Sequence, residues 1–370
     1  MIGAAVTDLD HMRSALALAR RGLGQVAPNP AVGCIILRDG QVVGRGWTQP
    51  GGRPHAETEA LRRAGAAARG ATAYVTLEPC SHTGRTPPCA DALLDAGIAR
   101  AVVAIEDPDP RVAGGGIARL RDAGVAVTLG CGAAEAAELN RGFLTRIERG
   151  RPLVTLKLAT TLDGRLATHL GESQWITGEV ARAWGHGLRR GHDAVMVGSN
   201  TVLADDPMLT CRLPGLERPA PTRIVVDGRL QTPLTAKLVS SAGAAPTLIV
   251  TLAGTDPLRA QAFVDCGVEV LELTADAEGN IDLAATFTAL GGRGLTRVLV
   301  EGGARLAASL FRGGLVDRIE WFRSPAIMGG DGVPAVQGFG VDHLVDMKRF
   351  ERTGLRVAGA DLLESLRRVG

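Results

Sequence analysis

The sequence predicts two consecutive α/β domains, on three observations. A chain of 370 residues is long for one hydrophobic core, so two domains are the default. Short apolar runs of strand length alternate with segments of helical period along the chain. Near the middle, Glu148-Arg149-Gly150-Arg151-Pro152 interrupts the pattern, and a fresh apolar run starts at Leu153. The domains are therefore expected over 1–150 and 151–370. No internal repeat relates them, so the second is not a copy of the first.

In the first half, Asp8–Leu23 has helical period, with Met12, Ala15, Leu16 and Ala19 on one stripe and acidic residues at its start. Ala31–Leu37 and Gln41–Gly46 read as a strand pair turning at Asp39-Gly40, a dipeptide suited to a tight hairpin. Pro54 introduces a helix over 56–67, which puts His55 and Glu57 at its N-terminal end. Strand 73–77, helix 90–96, strand 101–105, helix 117–123 and strand 125–129 follow. One helix over 133–147 then closes the half. Such alternation implies a layered domain with a largely parallel sheet, whose chemistry gathers at the carboxyl ends of strands.

The second half repeats the alternation with different residues. Strands are expected at 153–158, 194–198, 223–226, 248–250, 268–271, 298–300 and 319–322, with helices at 283–290 and 304–311. Arg297–Val300, then Glu301-Gly302-Gly303, then Ala304 onward make a strand, a glycine pair and a helix. Backbone amides at such a helix start suit an anion, although many αβ turns use glycine for backbone reasons alone. Asp205 and Asp206 before Pro207 fit capping and turn formation or a metal. Lys157, inside an apolar strand, either pairs with a partner or snorkels from a sheet edge.

Chemistry is most concentrated in His55-Ala56-Glu57 and in the segment from Pro79-Cys80 to Pro88-Cys89. One imidazole and two thiolates supply three of the four ligands of tetrahedral Zn²⁺, leaving a position for water as catalytic zinc requires. Glu57 lies two residues past His55, with a carboxylate available to move protons without touching the metal. This is the layout by which zinc nucleobase deaminases replace an exocyclic amine, here with eight residues rather than two between the cysteines. The competing reading is a structural zinc knuckle closed by His82, or plain buried cysteine. A structural site has no use for Glu57.

Composition narrows the function classes. Net charge is +2, aromatic residues make up 3% and there is a single Tyr, which argues against a nucleic-acid surface. Six cysteines without a framework suggest a reducing compartment. The first residues carry no basic n-region or apolar run of signal-peptide type, and no stretch approaches a membrane span. A cytoplasmic protein without membrane partners is expected. Only three of 41 basic residues are Lys, a skew from which no function follows.

Taken together, these motifs are similar to those of the bifunctional riboflavin-biosynthesis deaminase–reductases. The markers run almost end to end: Pro28-Asn29-Pro30-Ala31-Val32-Gly33, His55-Ala56-Glu57, Pro79–Cys89, Lys157-Leu158-Ala159, Leu162-Asp163-Gly164, Gly171–Thr177, Thr201–Pro207 and Glu301-Gly302-Gly303. The resemblance implies an N-terminal cytidine-deaminase-like α/β/α domain and a C-terminal dihydrofolate-reductase-like α/β domain. It implies zinc on His55, Cys80 and Cys89, Glu57 as proton shuttle, Asn29 on the pyrimidine and Arg85 near the substrate phosphate. In the reductase half it implies Ser173, Arg189, Leu209 and Arg212 against the phosphorylated substrate, with Lys157 and Glu301 beside the reacting ribosyl carbon. For NADPH it implies Ala159, Trp175, Thr201, Asp205, Gly303, Ala304, Arg305, Leu306, Ala307, Ala308 and Ser309.

The implied reactions are hydrolytic deamination of 2,5-diamino-6-ribosylamino-4(3H)-pyrimidinone 5′-phosphate, then NADPH-dependent reduction of its ribosyl chain to ribityl. A homo-oligomer with small phosphorylated pyrimidines as its ligands is implied as well. Three positions depart from the pattern: Thr48 for a substrate-contacting His, Asp109 for Asn, and Gly115 for a central Arg. Rival readings are a deaminase for tRNA or mononucleotides with an unrelated appendage, and a non-catalytic zinc-stabilised binder, which would tolerate loss of Glu57.

Overall fold

The structure is a computed structural model that describes residues 7–82, 87–214, 216 and 220–369. It divides into two compact units, Met1–Gly150 and Arg151–Gly370. Among the described residues no helix is long and apolar enough to cross a membrane.

The first unit is one five-stranded sheet of order β2-β1-β3-β4-β5, made of β1 (Gly33–Arg38), β2 (Gln41–Trp47), β3 (Thr72–Val75), β4 (Arg100–Val103) and β5 (Ala126–Leu129). β1 runs antiparallel to β2 and β3, and β3, β4 and β5 are parallel. Asp39 (φ 49°) and Gly40 (φ 76°) turn the hairpin, both in the left-handed region that a tight hairpin turn needs. Helix α1 (Asp8–Ala19) begins with a capping box, in which Thr7 Oγ1 accepts from Asp10 N and Asp10 Oδ2 accepts from Thr7 N. Its buried stripe is Met12, Ala15, Leu16 and Ala19.

Helix α2 (Ala56–Ala64) lies unusually close to β2. A Cβ at Gly44 would fall 2.3 Å from Ala60 O, and one at Gly46 would fall 2.0 Å from Ala56 O. Glycine at alternate positions of the strand and alanine at 56, 60 and 64 of the helix permit this contact, which seats the start of α2 on the sheet. α3 (Cys89–Asp95) and α4 (Gly115–Asp122) follow β3 and β4. The single helix expected over 133–147 is two, α5 (Ala133–Leu139) and α6 (Arg141–Arg149). The break is Asn140, whose buried side chain accepts from Ala31 N at 2.9 Å and donates to Ala31 O at 3.1 Å. A contact 109 residues away thus overrides a continuous local helical pattern.

The second unit is a nine-stranded sheet. Its strands are β6 (Leu153–Thr160), β8 (Ala194–Gly198), β9 (Thr222–Val226), β10 (Thr247–Leu252), β11 (Glu269–Leu273), β12 (Arg297–Val300), β13 (Arg318–Arg323), β15 (Phe350–Ala358) and β16 (Asp361–Arg368), in the order β11-β10-β9-β8-β12-β6-β13-β16-β15. Strands from β11 to β13 are parallel, and β16 and β15 add antiparallel. A small pair, β7 (Arg165–Ala167) and β14 (Val333–Pro334), stands apart. The helices are α7 (Glu179–Arg190), α8 (Ser199–Asp205), α9 (Lys237–Ser240), α10 (Pro257–Asp265), α11 (Leu283–Gly292) and α12 (Ala304–Arg312). The sheet's apolar residues form a core on each face, one with Phe287, Leu306 and Leu310, the other with Leu230, Leu238 and Phe263. β6 is interior to this sheet, so Lys157 is not an edge lysine.

Candidate active sites

In the first unit, the close seating of α2 holds His55, its N-cap residue, and Glu57 in the first turn beside the segment that leaves β3. Cys80 comes from that segment and Cys89 opens α3. Their ligand atoms lie within 4.8 Å of one another, the one His/Cys/Asp/Glu cluster of metal-holding geometry among the described residues. His55 Nδ1 is 3.3 Å from Cys89 Sγ and 3.7 Å from Cys80 Sγ. Two ligands of tetrahedral zinc, one nitrogen and one sulfur, stand about 3.6 Å apart. The donor set and its spacing therefore fit Zn²⁺. The Cys89 thiol and N–H both donate to Cys80 and, with His55 beside it, favour its thiolate, whereas Cys89, facing that charge, is pushed up.

Glu57 is 3% exposed and lines a cavity of about 270 Å³ with His55 and Cys80. Burial pushes its carboxyl up to about 7, against the opposing pull of His55. A carboxylate so placed can both take and return a proton near neutral pH. His82 also lines this cavity, with Nδ1 buried and without a hydrogen-bond partner, but its ring is not among the ligand atoms that converge with those of His55, Cys80 and Cys89. Asn29 lines the cavity and donates from Nδ2 to Gly52 O. Arg85 lies outside the described residues.

The three departures have structural counterparts. Thr48 is buried at the cavity wall, its Oγ1 accepting from Val32 N at 3.0 Å. Asp109 forms an ion pair with Arg111, also at the wall. Gly115 stands where a Cβ would come 2.8 Å from Ser81 Oγ.

In the second unit a cavity of about 1180 Å³ opens at the carboxyl ends of β6, β8, β9 and β12. Single-ligand sites occupy roughly 300–1,000 Å³, so this cavity exceeds the usual range for one small ligand. One end is cationic. Arg189 donates to both oxygens of Glu301, from Nε at 2.5 Å and Nη2 at 2.9 Å, and Lys157 Nζ stands 4.0 Å from Glu301. Burial alone would raise the Glu301 carboxyl, but Arg189 and then Lys157 outweigh it and hold it at about 2. Burial, then the Arg189 and Arg212 charges, push the His186 imidazole below its ordinary value. The sequence reading missed His186 and Arg182, though Arg182, His186 and Arg189 share the i, i+4, i+7 face of α7.

Elsewhere in this cavity Gly303 caps α12 with no side-chain hydrogen bond, so the helix amides are offered to a ligand. A Cβ at Gly303 would stand 3.8 Å from Thr201 Oγ1, which places Thr201 at the same spot. Ala159, Ser173, Trp175, Asp205, Leu209, Arg212, Ala304, Arg305, Leu306, Ala308 and Ser309 line the cavity too. Ala307 does not; it is fully buried in the core under the sheet. On successive turns of α12 its methyl faces the sheet while residues 305 and 309 face the cavity. Asp206 is structural, accepting from Lys237 N and pairing with Lys237 Nζ, while Asp205 is exposed on the cavity.

Comparison with known proteins covers both units. Residues 6–105 match the cytidine and deoxycytidylate deaminase zinc-binding region, and residues 152–363 match the RibD C-terminal domain. The chain is 41% identical over 368 residues to the riboflavin biosynthesis protein RibD of Escherichia coli, covering 96% of this chain and 98% of that one. Identity to the RibD of Bacillus amyloliquefaciens is 41% over 353 residues, covering 95% and 94%. The solved structure of Acinetobacter baumannii RibD superposes with a TM-score of 0.89 at 37% identity, covering 98% of this chain and 99% of that one. A Thermotoga maritima structure, named as a diaminohydroxyphosphoribosylaminopyrimidine deaminase/5-amino-6-(5-phosphoribosylamino)uracil reductase, gives 0.86 at 32% identity with the same coverage.

Proposed function

We propose that this chain, which belongs to the RibD family of riboflavin-biosynthesis deaminase–reductases, carries out its two reactions in separate cavities, deamination with zinc and reduction with NADPH. The carrying observation is the metal-type cluster of three protein ligands with a buried, non-ligand carboxylate beside it. A structural site would have four ligands and no such group. The substrate of the first step is 2,5-diamino-6-ribosylamino-4(3H)-pyrimidinone 5′-phosphate.

When bound, zinc lowers the pKa of a water toward neutrality and NADPH supplies hydride. His55, Cys80 and Cys89 would hold the metal. Glu57 accepts the proton from the attacking water and delivers it to the departing ammonia, its raised pKa suiting both transfers. Asn29 orients the pyrimidine at the cavity wall. In the second unit Arg189 and Arg212 receive the substrate phosphate, and Ser173 and Leu209 line its path. Lys157 and Glu301 sit beside the ribosyl carbon that is reduced. The free amides at the start of α12, from Gly303 to Leu306, take the cofactor's pyrophosphate, with Ala308, Ser309, Ala159, Trp175, Thr201 and Asp205 along its length. Six free cysteines fit a cytoplasmic setting, and a homo-oligomer is part of the same reading.

The test is mass spectrometry of the pathway substrate incubated with zinc-loaded protein. Deamination adds about 1 Da, from NH₂ to OH, and NADPH then adds about 2 Da more. An unchanged substrate mass would overturn the reading.

A further inference from the structure

We propose that Glu78 is a positioning residue for deamination: its carboxylate braces the 107–117 segment, one wall of the first cavity, against the stretch that delivers Cys80. The proposal rests on the deaminase reading of that cavity. Glu78 lies two residues before Cys80 and is 4% exposed. Its Oε2 accepts from Asp107 N at 3.1 Å and Gly114 N at 3.0 Å, and its Oε1 from Gly116 N at 2.8 Å and Ile117 N at 3.1 Å. An ionised carboxylate has about four acceptor positions. All are occupied by backbone amides, so Glu78 has no acceptor position left with which to grip substrate.

Three of those amides belong to the start of α4, whose N-cap Gly114 has no side chain to offer. Glu78 therefore supplies the missing cap from 36 residues away, with a negative charge at the positive end of the helix. The fourth amide, of Asp107, fixes the other end of the loop. Between these anchors the chain folds on itself: Asp109 N donates to Asp107 Oδ1, and Arg111 N donates to Asp109 Oδ1. Asp107, Asp109, Arg111 and Val112 line the cavity together with Asn29 and Glu78 itself. The fit leaves no slack, since a Cβ at Gly116 would fall 1.9 Å from Pro79 O.

The full-length zinc-loaded chain is compared with Glu78→Gln, which can satisfy only two of the four amides, and with Glu78→Asp, which keeps the charge one methylene short. Amide exchange in 107–117 is expected to speed up, and KM for ammonia release to rise about tenfold in the Gln variant, the effect of leaving buried N–H groups unpaired. The Asp variant should fall between, with kcat changing far less, zinc retained and reductase constants unaltered. Lost zinc, lost reduction, or a fall in kcat at constant KM would overturn the proposal, as would unchanged exchange and KM. If exchange responds but the parent chain releases no ammonia, the deaminase reading fails and the brace stands.

Discussion

Replacing Glu301 by Gln should change how the second unit responds to acid. The carboxylate is 12% exposed and held at about 2 by Arg189 and Lys157, against an ordinary value of 4.5. At about 1.4 kcal/mol per tenfold change, that difference is worth roughly 3 kcal/mol. Because the folded-state pKa is lowered, the stabilisation is fully present above the unfolded value near 4.5. It is lost as pH falls toward 2, and less than half, roughly 1.4 kcal/mol, should remain at pH 3. Glu301→Gln removes it and leaves the Arg189 guanidinium without its counter-charge, so the variant should be about 3 kcal/mol less stable at pH 7. Urea unfolding followed by Trp fluorescence measures this, since Trp175, Trp184 and Trp321 lie in the second unit and only Trp47 in the first. Curves for parent and variant should converge from pH 5 to pH 3. A gap that stays constant with pH would refute the argument that the ion pair sets the Glu301 pKa.

Glu57→Gln should keep zinc and lower ammonia release by about 10²–10⁴-fold, the usual weight of a general acid–base group; near-normal release with zinc bound would remove Glu57 from its role. Cys89→Ser should lose zinc and deamination while reduction of the deaminated intermediate continues, checked by metal analysis alongside NADPH oxidation. Arg212→Ala should raise KM for the phosphorylated substrate by roughly tenfold or more, with little effect on that for NADPH, and Asp205→Ala the reverse. Steady-state titration of both ligands on each variant decides between them, and equal effects on the two KM values would sink both assignments.

Much of this was legible where local chemistry and tertiary contact agree. Asp39-Gly40 turns β1 into β2 because few other dipeptides accept two left-handed residues. The spacing of His55, Cys80 and Cys89 was visible in the sequence, and the structure brings the three together. What stayed hidden depends on distant partners. Nothing local marks Asn140 as a break, because the helical stripe continues through it and Ala31 makes the difference. Glu78 left one faint trace, a carboxylate closing the apolar run before Pro79-Cys80, but its four donors lie some 30 to 40 residues on. The β15–β16 hairpin was missed because Glu351, Arg352 and Arg356 on one strand, and Glu364, Arg367 and Arg368 on the other, mask its period of two. Helix α7 was missed as well, with Gly185 and Gly187 in its sequence and Ala181 as its only fully buried residue.

Each cavity is lined, among the described residues, by side chains of one unit alone. Damage to the molecule is therefore separable by position. A substituted Gly46 would force α2 off β2 and spoil the metal cluster, yet leave the other cavity whole. A chain altered at Glu301 would carry the opposite lesion. With both proteins present, the one altered at Glu301 would supply the deaminated intermediate that the one altered at Gly46 reduces. Genetically, such a chain behaves as two genes that share a reading frame.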